Sequence, residues 1–155
     1  MLRRIHQYFP QLISKTDLFV GTSTGSFIAL GLAYGISPRE LAKLFSLKNG
    51  KFIFSPRYLN LCRPRYDNKH LIKVLKYIFP ADLQLKDLKH RVLVPAFKVC
   101  DRELGCWNTT FFNNLPESKT KEHYVLDVAL ASSAAPTYFP SHKKYIDGGV
   151  IANNP

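Results

Sequence analysis

The sequence has 155 residues, 46% of them apolar, enough for one globular domain with a core of its own. Lys and Arg outnumber Asp and Glu 22 to 11, a formal charge of +11 that favours anionic partners such as phospholipid headgroups or nucleic acid. No apolar run approaches the roughly 18 residues of a membrane span, and no basic run has the length or period of a groove-reading helix, so nucleic acid is the weaker partner.

In chain order, Met1-Leu2-Arg3-Arg4 carries charge without the apolar stretch of a signal peptide, which points to a cytoplasmic protein or one peripheral to an anionic membrane. Leu2, Ile5, Phe9, Leu12 and Ile13 share one helical face, predicting a helix packed on a sheet and shortened by Pro10. Asp17 to Val20 reads as a short buried strand. A helix follows through Ala33 and stops at Gly35. Ser37-Pro38-Arg39-Glu40 supplies an N-cap, a proline at the first helical position and a capping-box glutamate, and Asn49-Gly50 is predicted to end that helix.

Lys51 to Tyr66 mixes aromatic, basic and proline residues and reads as a surface loop, suited either to a membrane interface or to packing by its own rings. Asp67 or Asn68 caps a helix bearing Leu71, Ile72, Val74, Leu75 and Ile78. Val92 to Val99 and Trp107 to Phe112 read as a strand pair joined through Asp101 to Gly105. A small-residue helix around Val125 to Ala131 precedes a last strand, Tyr145-Ile146, that runs into Asp147-Gly148-Gly149. Alternating strands and helices predict an α/β fold of three layers around a mostly parallel sheet. Cys62, Cys100 and Cys106 have no CxxC spacing, against a disulfide framework or a zinc site.

Gly21-Thr22-Ser23-Thr24-Gly25 is a G-x-S-x-G pattern in a strand–turn–helix context, the setting of a nucleophile elbow, with Gly21 and Gly25 expected to remove clashing Cβ atoms. An ordinary turn in which Thr22 or Ser23 caps the helix is the alternative. A serine hydroxyl needs a neighbouring base, and Asp147 suits that task, since Gly148 and Gly149 let its backbone approach the serine loop. A plain Asp-Gly turn is its alternative. A triad through Asp101 or Asp127 with His142 is the other arrangement to weigh, although 22 residues before Ser23 leave little room for the strands such a fold places there. His6, His70, His90 and His123 read as surface residues without a role.

Three blocks occur in order: Asp17-Leu18-Phe19-Val20-Gly21-Thr22-Ser23-Thr24-Gly25, then Ala131-Ser132-Ser133-Ala134-Ala135-Pro136-Thr137-Tyr138-Phe139-Pro140, then Asp147-Gly148-Gly149-Val150-Ile151-Ala152-Asn153-Asn154-Pro155. With Val94-Pro95-Ala96 before the expected hairpin, they resemble the patatin-like phospholipases, serine acyl hydrolases with a Ser/Asp dyad. The resemblance covers residues 1 to 155 as a single, partial domain. It implies Ser23 as nucleophile, Asp147 as the dyad base, a lipid acyl ester as substrate, and neither metal nor organic cofactor.

The resemblance also implies oxyanion donors. The Thr24 N–H is one, and the family's others come from a glycine-rich loop upstream, whereas no glycine precedes Gly21. The expectation is therefore a domain truncated at both ends and lacking its first strand, either a working hydrolase or an impaired remnant that binds a membrane surface or a protein. A second copy or a complementing chain would then cover the exposed sheet edge.

Overall fold

The sheet is organised around β2, Arg91–Lys98, in a computed structural model that describes residues 1–55, 64–99 and 107–155. β1 (Leu18–Val20) pairs with it in parallel, Leu18 opposite Arg91 and Val20 opposite Leu93. β3 (Asn108–Asn113) pairs antiparallel along the other edge, with Val94 opposite Phe112. β4 (Tyr145–Asp147) is antiparallel as well, with Asp147 opposite Ala96 and Tyr145 opposite Lys98.

β1 and β4 occupy the same edge of β2 and run towards each other. The end of β1 and the end of β4 stop on either side of Val94 and Pro95. A proline lacks the ladder N–H and weakens a central strand, but here it falls in the gap where neither neighbour needs that donor. The Gly21 N–H donates to the Leu93 carbonyl on this edge at 3.2 Å. Two residues on, the Pro95 carbonyl faces the same way and accepts the Ser132 hydroxyl at 2.7 Å. The sequence that ends β1 and the sequence that ends β4 are thereby delivered to one point.

The core lies on one face of the sheet. Val92, Val94 and Ala96 alternate into it, joined by Phe112 from β3. Against them pack Phe27 and Leu30 of α2 (Thr24–Tyr34), Leu71 and Leu75 of α5 (Asn68–Lys76), and Val125 and Val128 of α6 (Val125–Ser132). On the opposite face Leu18, Val20 and Phe111 are exposed. The α/β class is as expected. Within it the described pairings are mixed, one parallel and two antiparallel, because β2–β3 is a hairpin and β4 returns against β2.

Helix ends follow local chemistry. α2 stops at Gly35, whose φ of 104° is left-handed and lets its N–H return to Gly31 and Leu32. The capping box at α3 (Pro38–Leu44) is complete, with Ser37 accepting from the Glu40 N–H and Glu40 from the Ser37 N–H. The predicted stop at Asn49-Gly50 is not observed. Ser46 accepts from the Asn49 N–H at 3.3 Å and so starts a new helix, α4 (Leu47–Ile53), with Gly50 inside it.

The first helix also differs from expectation. α1 (Leu2–Tyr8) buries no residue fully and packs against α3 rather than on the sheet, leaving Tyr8, Phe9 and Leu12 exposed. Part of the predicted surface loop belongs to α4, and Phe54, Tyr66, Tyr138 and Phe139 form a ring cluster. Arg65 and Tyr66 donate their backbone N–H groups to the carbonyls of Thr137 and Tyr138. Cys62, Cys100, Asp101 and Cys106 fall outside the described residues. No helix among the described residues is long and apolar enough to cross a membrane.

Candidate active site

Ser23 sits between β1 and α2 with φ 55° and ψ −126°, a backbone state that costs a non-glycine residue about 1–3 kcal/mol. Three bonds hold the turn in place. The Ser23 N–H donates to the Ser132 hydroxyl at 3.0 Å, the Ser26 hydroxyl donates to the Ser23 carbonyl, and the Thr22 hydroxyl donates to the Ala152 carbonyl at 2.7 Å. The Ser23 side chain makes no cap. It donates instead to Asp147 Oδ2 at 2.6 Å.

Asp147 arrives from the opposite direction at the end of β4. Its carboxylate is buried, with Oδ2 on the serine and Oδ1 accepting the Gly149 N–H at 2.7 Å. Gly148 permits the approach, because a Cβ there would lie 2.2 Å from the Pro95 carbonyl oxygen. Gly21 is equally constrained, since its Cβ would meet the Gly25 carbonyl oxygen at 2.4 Å. Gly25 is not, because a Cβ there would meet nothing within 4 Å, so its place in the pattern has no steric cause here.

Ser132 is a supporting residue that sequence reasoning did not single out. Its hydroxyl donates to the Pro95 carbonyl and accepts from the Ser23 N–H, linking β2, α6 and the elbow through one buried oxygen. The signal was present in the Ala131 to Pro140 block, which contains it. At the start of α2 the Gly25 and Ser26 N–H groups return to the Thr22 and Ser23 carbonyls. The Thr24 N–H donates to no described residue, as befits a first-turn helix amide.

Ser23 and Thr24 lie at the wall of a cavity of about 380 Å³, otherwise lined almost wholly by apolar groups such as Phe27, Leu44, Ile53, Leu71 and Phe139. The alternative triad does not assemble at this cavity. His142 Nε2 is bonded to Asp127 Oδ1 at 2.7 Å, and both residues line a separate pocket with Phe112, His123 and Tyr145. Of the other histidines, His90 contacts the Thr16 carbonyl and the Phe19 edge, His70 stacks on Phe52, and His6 is half-buried, so these three are not simply surface residues.

Asp127 clamps the turn that leads into β4. It receives Lys143 Nζ at 2.6 Å as well as His142, across a tight turn whose Lys143 and Lys144 both have positive φ. Burial pushes the Asp127 carboxyl upward, but hydrogen bonds and charge from Lys143 and His142 outweigh it and hold the group below its ordinary 3.8. A lowered folded value stabilises the protein above the unfolded value and loses that stabilisation as pH falls through the folded one. Thermal unfolding across acidic pH is therefore expected to show a component that Asp127→Asn removes. Identical acid profiles for the two proteins would contradict the clamp.

A strained serine facing a carboxylate, beside an apolar cavity on an α/β sheet, defines the class of domain. The chain belongs to the patatin-like phospholipase family, whose sequence model matches residues 2–155. It is 39% identical over its whole length to the putative sporulation hydrolase CotR of Bacillus subtilis, covering 49% of that protein. It is 37% identical to a cGAMP-activated phospholipase of Vibrio cholerae, with 90% of this chain and 43% of that one aligned. Patatin-like protein 2 of Arabidopsis thaliana is 27% identical, with 94% of this chain and 42% of that one aligned. The chain thus spans about half the length of the curated relatives it matches.

Proposed function

We propose that this chain hydrolyses acyl esters of lipids, of the phospholipid or lysophospholipid kind, with Ser23 as nucleophile and Asp147 as its base. The observation that carries the reading is the 2.6 Å bond from Ser23 Oγ to Asp147 Oδ2 beside an apolar cavity. As Oγ attacks the ester carbonyl carbon, its proton passes to Asp147. The Thr24 N–H, at the positive end of α2, supplies one donor to the oxyanion. Collapse expels the alcohol, which takes the proton from Asp147. A water molecule then gives a proton to Asp147 as it attacks the acyl-serine carbonyl carbon, and collapse breaks the bond to Ser23 Oγ, which takes that proton back from Asp147 as the fatty acid leaves. No cofactor enters the cycle.

The cavity favours an acyl chain, since each methylene moved out of water contributes about 0.8 kcal/mol. The name of the Vibrio relative, a phospholipase, supports this substrate class, and that of the Bacillus relative, a putative hydrolase, supports the reaction type alone. Fatty acid release from lysophosphatidylcholine micelles tests the reading: wild type is expected to release it and Ser23→Ala is not. Equal release by both would overturn it. A second reading, a module that binds without turnover, draws on the exposed apolar sheet face of Leu18, Val20 and Phe111. Absence of release by folded wild-type protein would favour it.

A further inference from the structure

Helix α4 separates two different surfaces. Its Gly50 and Ile53 line the apolar cavity at Ser23, and Phe45 and Phe54 lie at its two ends on the same cavity. On its other side is a groove whose lining includes Lys43, Lys48 and Lys73 against one carboxylate, Glu40, together with Phe52 and Tyr77. α4 itself buries no residue fully, and Leu47 in its first turn is 85% exposed. An apolar side chain so fully presented to water, flanked by half-exposed phenylalanines, is not explained by packing within the chain.

The charge around it is one-sided. The described residues between 38 and 79 include Arg39, Lys43, Lys48, Lys51, Arg65, Lys69, Lys73 and Lys76, with Glu40 and Asp67 as the acidic residues among them. Lys48, Lys51 and Lys73 form no ion pair with a described residue, and the Lys73 ammonium sits 5.9 Å from the Phe52 ring centroid. Cations interleaved with exposed leucine and phenylalanine suit a boundary where phosphates and hydrocarbon lie within one side-chain length. A nucleic acid would match the lysines but offer nothing to Leu47.

We propose that α4 and its flanking residues form a docking face for an anionic phospholipid bilayer, with Phe45, Leu47 and Phe54 entering the interface and Lys48, Lys51 and Lys73 held against headgroup phosphates. The face adjoins the cavity at Ser23, so adsorption brings lipid to that cavity directly. The proposal does not depend on turnover, and it is tested on a Ser23→Ala background so that vesicles stay intact.

The experiment is cosedimentation with vesicles of phosphatidylcholine alone and vesicles also containing phosphatidylserine, at low and high salt. Binding is expected to the second kind, to weaken with salt, and to fall about fivefold per lysine in Lys48→Gln and Lys51→Gln. Leu47→Ser, a change at an exposed site that leaves the fold intact, is expected to weaken binding at both salt levels. Lys119→Gln, in the exposed loop after β3, removes one charge elsewhere and is expected to change little. Three results would overturn the proposal: no preference for anionic vesicles, equal losses from Lys119→Gln and Lys48→Gln, or unchanged binding by Leu47→Ser together with release by duplex DNA. Failure of the Ser23→Ala protein to bind either kind of vesicle, while the protein with Ser23 intact hydrolyses a dispersed ester, would remove this proposal and leave the proposed hydrolysis standing.

Discussion

Asp147→Asn is expected to lower turnover by about 10²–10⁴-fold, the usual contribution of a positioned base, while the protein stays folded. The replacement has nearly the same shape, and its amide oxygen can still accept the Gly149 N–H now bonded at 2.7 Å. What it removes is the acceptor for the serine proton at Oδ2. Turnover within tenfold of wild type, with unchanged thermal unfolding, would remove Asp147 from the mechanism.

Gly148→Ala is expected to be strongly disruptive at the site, as Gly21→Ala would be. The added carbon would lie 2.2 Å from the Pro95 carbonyl oxygen and 2.7 Å from its carbon, both backbone atoms of the central strand, so either β2 or the Asp147 segment must move. Overpacking of this kind costs about 1–3 kcal/mol, a fall in melting temperature of roughly 2–12 °C for a domain of this size. Gly25→Ala is the contrasting case. Nothing lies within 4 Å of its new carbon, and alanine favours a helix by about 0.5–1 kcal/mol over glycine, so its melting temperature should hold or rise. Equal melting temperatures for the two variants would contradict the packing described here.

The elbow glycines show what a pattern in the sequence can and cannot carry. Gly21 and Gly25 look equivalent in G-x-S-x-G, yet only the first abuts backbone, because the turn folds Gly21 under the start of α2 while Gly25 faces open space. Local signals performed well where the physics is local. The Ser37–Glu40 capping box, the Gly35 stop and the Asp67 cap all formed, since each involves groups within a few residues of one another. Asn49-Gly50 misled because a turn signal was outweighed by the Ser46 cap three residues earlier and by the cavity on which Gly50 lies.

Long-range geometry was out of reach of such reasoning. Nothing within β1 or β4 indicates that they meet end to end on one edge of β2, although Pro95 marks the gap once the pairing is known. Ser132 lies 109 residues from Ser23 along the chain, and its bond to the elbow amide depends on α6 crossing β2 at the right height. The apolar face of α1 predicted a contact with the sheet, whereas that helix rests on α3 and keeps Phe9 exposed. Asp147 was accessible in the sequence through its Gly-Gly neighbours. Its pairing with Ser23 was implied by the family resemblance, and the fold supplies the 2.6 Å bond between them.

The proposal that Ser23 is a nucleophile made reactive by Asp147 is tested most directly by covalent labelling with a fluorophosphonate. Mass spectrometry of the digested protein is expected to find one adduct, on the peptide containing Ser23, formed in wild type and strongly slowed in Asp147→Asn. An unlabelled Ser23 in folded protein, or labelling of Ser23 at the same rate in both proteins, would contradict it.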